Sequence, residues 1–131
     1  MIPKFRVWDK HRNKMNYRIM VGNCDTNDEN WTCPIIWIEE RQDWLHFDDY
    51  NSIMQSTGFL DKNGREIFEG DILHHHKQTE YTFIVKYDKE YGRWLGDGIN
   101  CIYNIDISKD IVPYYEIIGN VYQNKELLKE K

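Results

Sequence analysis

The stretch Tyr81-Thr82-Phe83-Ile84-Val85-Lys86-Tyr87 decides the fold class of this chain. Its odd-numbered residues are apolar or aromatic, whereas Thr82 and Lys86 on the other face are polar, and this period of two predicts a β-strand. The polar segment 88–93 follows and predicts a turn, after which Trp94 and Leu95 begin a return strand. The stretch therefore predicts one β-hairpin of an antiparallel sheet.

The same alternation recurs on both sides of this hairpin. Asp61-Lys62-Asn63-Gly64 predicts a second hairpin turn, because Gly64 can adopt the left-handed conformation that closes such loops. Only residues 125–131 are typical of a helical turn, with Asn124 as a candidate cap. The fold class that follows is all-β, with several short antiparallel strands and a short C-terminal helical turn. The further predicted strands are 5–7, 15–21, 35–38, 44–47, 53–59, 72–73, 101–107 and 115–121.

Composition supports this fold class and limits the possible functions. The chain of 131 residues is long enough for one domain with a real core. It has 16 Ile and 5 Val against 6 Leu and no Ala, which favours strands over helices. The formal net charge of −5 argues against a uniformly basic nucleic-acid-binding protein.

Charge and apolar runs are unevenly distributed along the chain. Residues 1–18 carry six basic residues against one acidic residue, whereas residues 25–49 carry eight acidic residues against one basic residue. The first residues lack the apolar stretch of a secretion signal. The run Ile35-Ile36-Trp37-Ile38 is far too short to cross a bilayer. We therefore expect a protein of the host cytoplasm with no membrane contact.

Three blocks of sequence, in this order, resemble the YopX family of small phage and prophage proteins. Their motifs are specific in combination, and together they span nearly the whole chain. The departures are His74-His75-His76, where lysine or aliphatic residues are commoner, and Lys125, where a proline often opens the last helix. The blocks are Lys4–Asp9 with Met15, Met54–Ile72, and Tyr115–Asn124 followed by Glu126-Leu127-Leu128.

The resemblance implies a fold but no reaction, cofactor or catalytic residue. It implies a single YopX-like domain over residues 1–131, with β-hairpins in 1–60, an SH3-like barrel region in 61–123 and a helical tail in 124–131. The barrel is expected to begin near Gly70-Asp71-Ile72 and to close with the strand 117–122. The family-motif residues are interpreted as structural, since glycines can supply positive φ angles and Asp71 can bond backbone amides. They are Gly58, Gly64, Gly70, Asp71, Gly119 and Asn120.

Residue chemistry offers few candidates for catalysis or metal binding. In a strand, His74 and His76 share one face, so a third ligand such as Asp71 or Glu80 would complete a zinc or copper site. The alternative, which we favour, is a solvated polar edge with no metal. No serine-hydrolase elbow, phosphate-binding loop or metalloprotease motif is present in the sequence. We therefore predict no cofactor, no catalytic residue and no enzymatic activity.

Binding is the function that the sequence favours. Five Trp and nine Tyr exceed what one core of this size needs, so some should lie on the surface, where aromatic residues mark partner sites. We predict a phage or prophage accessory protein that contacts a host or phage protein, with homo-oligomerisation open. The alternative is a single-stranded nucleic-acid-binding module that uses Arg6, Trp8 and Arg18 of the basic first hairpin.

Overall fold

The computed structural model confirms the all-β fold class, and it describes residues 4–10, 12–24, 33–39, 42–46, 53–99 and 103–128. Every strand pairing among these residues is antiparallel. Two short 3₁₀ helices, Val112–Tyr114 and Lys125–Leu128, are the helical elements of this part of the chain, and the second is the predicted C-terminal turn. The strands are β1 Phe5–Asp9, β2 Lys14–Asn16, β3 Ile19–Cys24, β4 Cys33–Ile38, β5 Asp43–His46, β6 Ile53–Leu60, β7 Glu66–Phe68, β8 Asp71–His75, β9 Thr82–Asp88, β10 Arg93–Gly98, β11 Asn104–Asp106 and β12 Tyr115–Asn120.

The chain divides into two compact units, Met1–Gln55 and Ser56–Lys131. In the first unit, β1 lies between β2 and the beginning of β6, with Trp8 opposite Met15 and Phe5 opposite Gln55. A second sheet of this unit has the order β3-β4-β5. The division falls within β6, five residues before the predicted end of the N-terminal hairpins.

The predicted second strand over 15–21 was wrong, because the chain leaves the sheet between Asn16 and Ile19. The side-chain oxygen of Asn16 accepts a hydrogen bond from the backbone N–H of Arg18 at 3.0 Å. This local bond competes with a ladder bond and turns the chain. Consequently, β2 pairs with β1 whereas β3 pairs with β4.

The second unit contains a five-stranded sheet in the order β11-β10-β9-β8-β12, and this sheet curls into a half-barrel. The hairpin predicted from residues 81–95 is confirmed, with Trp94 opposite Tyr87 and Arg93 opposite Asp88. β8 begins at Asp71 and β12 ends at Asn120, where they pair with each other. The resemblance to the YopX family puts the start of its SH3-like barrel near residues 70–72 and its close at the strand 117–122, and that assignment stays a prediction.

One face of the half-barrel packs the core of the second unit. Because alternate residues of a strand face opposite ways, Phe83 and Val85 of β9 share this face with Leu73 of β8. The short strand β7 was not predicted, since three residues are too few to show alternation, but it supplies Ile67. Six residues form the buried cluster: Ile67, Leu73, Val85, Ile107, Val112 and Ile117.

Position 119 of β12 requires glycine because the side chain of Asn124 lies close to the backbone there. A Cβ atom at this position would lie 2.3 Å from Asn124 Oδ1 and 2.9 Å from Asn124 Cβ. Asn124 Oδ1 is held there because it accepts a hydrogen bond from the backbone N–H of Asn120 at 3.1 Å. Asn124 therefore folds back over β12. Its side-chain oxygen bonds the backbone of Asn120 and not an N–H group of the helical turn that Asn124 was predicted to cap.

We expect Gly119→Ala to lower the free energy of unfolding by about 1–3 kcal/mol, because the added methyl group must displace Asn124. Urea unfolding of the single variants and of Gly119→Ala combined with Asn124→Gly measures the coupling. The alanine should cost clearly less when residue 124 is glycine. An equal cost in both backgrounds would show that Asn124 is not the obstacle.

Candidate contact surfaces of the half-barrel

The carboxylate of Asp61 joins a turn to a strand of the half-barrel. Its Oδ1 accepts hydrogen bonds from the backbone N–H groups of Asn63 at 2.9 Å and Arg65 at 2.8 Å. Its Oδ2 accepts one from the backbone N–H of Ile117 in β12 at 2.9 Å. Asp61 is 5% exposed. The buried carboxylate of Asp61 thus accepts hydrogen bonds from three backbone N–H groups, and this favours a structural role for Asp61.

The remaining motif residues also contact the main chain. Asp71 Oδ2 accepts a hydrogen bond from the backbone N–H of Phe68 at 2.7 Å, as expected for a strand entry. Asn120 Oδ1 accepts bonds from the backbone N–H groups of Tyr122 and Gln123 at 3.0 and 2.9 Å. Three glycines have positive φ angles of 81°, 81° and 87°, namely Gly58, Gly64 and Gly70.

We expect Asp61→Asn to lower the free energy of unfolding by about 2–3 kcal/mol, because an amide nitrogen would face a backbone donor in place of an acceptor. Asp97→Asn is a matched control: its partner Lys86 Nζ lies 2.6 Å away, but both side chains are exposed. That substitution should cost less than about 1 kcal/mol. Urea unfolding measures both, and equal costs would contradict the role given to Asp61.

The first hairpin does not present its three candidate binding residues together. Arg6 is only 2% exposed, so its prediction as a surface residue was wrong. Its guanidinium carbon lies 5.9 Å from the centre of the Tyr17 ring, and its Nη1 donates to the Tyr17 hydroxyl at 3.4 Å. Trp8 is half-buried, whereas Arg18 is exposed.

One acid of the negative segment lies beside the basic segment of the same chain. The backbone N–H of Glu39 donates to the carbonyl of Arg18 at 3.1 Å. Hydrogen bonds from Trp37 and Gln42, and then the charge of Arg18, lower the pKa of Glu39. Most of the other acids of residues 25–49 lie outside the described residues.

The histidine run lies on an interior strand, so its prediction as a sheet edge was wrong. β8 pairs with β9 on one side and with β12 on the other. Across the pairing of β8 with β12, His74 Nε2 lies 2.6 Å from Oε1 of its register partner Glu116. The hydrogen bond from His74 is the largest cause that lowers the pKa of Glu116, and a bond from Asn63 adds to it.

His75 and His76 lie together beside Tyr114, because β8 ends at His75 and the strand alternation ends with it. Their ring centres are 5.0 Å apart, and the ring of Tyr114 lies 6.3 Å from His75 and 6.1 Å from His76. We name this group, with the neighbouring Lys62 and Lys77, the histidine–tyrosine surface. It is a cationic and aromatic surface.

The described part of the chain brings no three histidine, cysteine, aspartate or glutamate residues into a metal-binding group. The two candidate third ligands do not complete a site with His74 and His76. Asp71 accepts from the backbone at the far end of β8, and His74 is engaged by Glu116. This structure therefore supplies no geometric support for a site built on the histidine run.

We expect the His74–Glu116 pair to make stability depend on acid pH. Folding lowers the pKa of Glu116 below its ordinary value of 4.5, so its stabilisation is complete above pH 4.5 and is lost as the pH falls through the lowered pKa. Urea unfolding between pH 7 and pH 3 should show a shallower decline for Glu116→Gln. His74→Gln, which removes the partner, should flatten the profile similarly, whereas profiles parallel to the wild type would contradict this origin.

A second exposed aromatic group lies on the hairpin of β9 and β10. Tyr91 in the turn is 70% exposed, and the guanidinium carbon of Arg93 lies 5.1 Å from the centre of its ring. Tyr87 is 45% exposed and packs edge-on against Trp94, with ring centres 5.1 Å apart. We name Tyr87, Tyr91, Arg93 and Trp94 the hairpin surface.

Ion pairs hold the guanidinium of Arg93 in place. Its Nε lies 3.2 Å from Asp88 Oδ2, and its Nη1 lies 2.8 Å from Asp106 Oδ1 on β11. Arg93 therefore contacts carboxylates of two strands, and the Tyr91 ring has a cationic neighbour. Sequence reasoning missed both residues, although the surplus of aromatic residues was the signal that some would be exposed.

The architecture defines a class of protein, namely a small all-β chain whose C-terminal unit is an antiparallel half-barrel with exposed aromatic residues. None of the helices among the described residues has the length or apolar composition needed to cross a bilayer. The motif carboxylates accept hydrogen bonds from the main chain, and the two aromatic surfaces are candidates, among the described residues, for contact with other molecules.

Comparison with known proteins places the chain in a family. The sequence matches the YopX protein family over residues 4–129, so the chain belongs to this family. No curated protein matches the sequence. The crystal structure of protein EF1440 from Enterococcus faecalis is similar, with 26% sequence identity and a TM-score of 0.63. The similarity covers 98% of this chain and 99% of that chain.

Proposed function

We propose that this YopX-family protein is a non-catalytic phage or prophage accessory protein that binds another protein in the host cytoplasm through the hairpin surface. The observation that supports this function best is the Tyr91–Arg93 pair, an exposed ring beside a guanidinium that two carboxylates hold in place. The partner is a host or phage protein, and a second copy of the chain is the homo-oligomeric form of the same proposal.

The residue types of the hairpin surface are those that contribute most to protein–protein binding. Tyrosine, tryptophan and arginine dominate the energy of interfaces because they combine large contact area with hydrogen-bonding groups. A side chain already fixed before binding loses little conformational entropy when the partner arrives. The ion pairs of Arg93 with Asp88 and Asp106 restrict its side chain in this direction.

A second feature supports binding rather than catalysis. The buried carboxylates of the second unit, Asp61 and Asp71, accept hydrogen bonds from backbone N–H groups. A carboxylate engaged in this way is a poor proton acceptor for a substrate, because its oxygens already accept hydrogen bonds from the main chain. The geometry therefore favours recognition over general acid–base chemistry.

The test places a photo-crosslinking residue, p-benzoylphenylalanine, at position 91 of the full chain in the bacterial host. We expect a cross-linked species after irradiation, which mass spectrometry identifies as a partner protein or as a second copy. Position 103 is the matched control, because Tyr103 is 60% exposed and lies outside the hairpin surface. Cross-linking at 91 but not at 103 is the expected result.

Binding measurements with the purified partner protein then show how much each side chain contributes to the affinity. Substitution of an interface hot spot costs at least about 2 kcal/mol, so Tyr91→Ala combined with Arg93→Ala should weaken binding about 30-fold. Tyr103→Ala should change it less than about two-fold. If position 91 yields no cross-link, or if both positions cross-link to the same set of proteins, the hairpin surface is not the binding site.

A further inference from the structure

The histidine–tyrosine surface combines aromatic rings with lysine side chains and is separate from the hairpin surface. The protein contact proposed above does not involve it. Its residues come from the loop after Asp61, the end of β8 and the residues just before β12. The backbone N–H of Lys62 donates to the carbonyl of Tyr115 at 2.8 Å, and that of His76 donates to the carbonyl of Tyr114 at 2.9 Å. Backbone hydrogen bonds therefore hold the cluster together.

Flat rings in this cluster are available for stacking. Tyr114 is 54% exposed, and its ring is nearly parallel to that of His75, with an angle of 3° between their planes. The ring of Tyr115 lies nearly perpendicular to that of His75, with ring centres 5.4 Å apart. Exposed aromatic rings of this kind are the platforms on which unpaired bases stack.

The tautomer of His75 adds a hydrogen-bond donor. Its Nδ1 accepts hydrogen bonds from the backbone N–H groups of Lys77 and Gln78, both at 3.1 Å. A ring nitrogen that accepts carries no proton, so neutral His75 carries its proton on Nε2. That N–H can donate to a phosphate oxygen or to a base.

The local charge is positive although the chain as a whole is acidic. Burial lowers the pKa of His76, and the charges of His75, Lys62 and Lys77 lower it further, whereas Glu116 opposes them. Glu116 is itself engaged by His74 and by Asn63. A phosphate beside Lys62 and Lys77 would offset the positive charge of these two lysines.

We propose that the histidine–tyrosine surface binds single-stranded nucleic acid, with a base stacked on Tyr114 and two backbone phosphates neutralised by Lys62 and Lys77. This site replaces the first hairpin, where Arg6 is buried, as the place for such binding. The exposed ring of Tyr114 favours a nucleic acid over an acidic peptide, because aspartate and glutamate side chains carry no aromatic ring to stack on it.

Fluorescence anisotropy of the full chain with a labelled twelve-residue oligothymidine tests the proposal. Two neutralised phosphates on a single strand give a logarithmic salt slope near −1.4, so affinity should fall about seven-fold between 50 and 200 mM salt. Tyr114→Ala should weaken binding about five-fold or more, and Tyr114→Phe, which keeps the ring, should restore it. Lys62→Gln combined with Lys77→Gln should remove most of the salt dependence.

Charge-matched controls separate this site from general attraction. Lys109→Gln combined with Lys125→Gln removes two exposed lysines elsewhere in the same unit and should leave binding within about two-fold of wild type. The proposal is overturned by undetectable binding at 50 mM salt, by an equal loss in the control pair, or by tighter binding of an acidic twelve-residue peptide. Loss of binding in Arg18→Gln alone would return the site to the first hairpin.

Discussion

The second unit depends on a buried carboxylate whose two oxygens serve two different elements. Asp61 Oδ1 fixes the loop that follows it, and Oδ2 fixes β12 at Ile117. A charge can be buried in this way only because backbone donors replace its hydration. The position of β12 determines the core contacts of Ile117 and the placement of Tyr114 just before it.

The two aromatic surfaces follow from the ends of strands in this frame. The hairpin surface lies where β9 turns into β10, and the histidine–tyrosine surface lies where β8 ends and β12 begins. At such ends the alternation between core and solvent stops, so large side chains emerge without exposing a core position. This explains how one small unit carries a packed interior together with exposed tyrosines.

Prediction from sequence succeeded where a pattern is repeated over several residues. The alternation of residues 81–87 was enough to place β9, and the turn residues after it placed the return strand. Prediction failed for β7, which has three residues, and for the break after Asn16, where one side-chain hydrogen bond interrupts an otherwise regular alternation. The histidine run was misplaced for a related reason, since a single strand does not reveal which neighbours pair with it.

The sequence by itself determined the all-β class, the main hairpins and the family, because these depend on local periodicity and on short motifs. Only the tertiary structure decided that Arg6 is buried, that β8 is interior, and that Arg93 is fixed beside Tyr91. Burial and electrostatic environment depend on residues far apart in the chain, such as Asp106 beside Arg93 and Glu116 beside His74. Contacts of that range leave no periodic signal in one sequence.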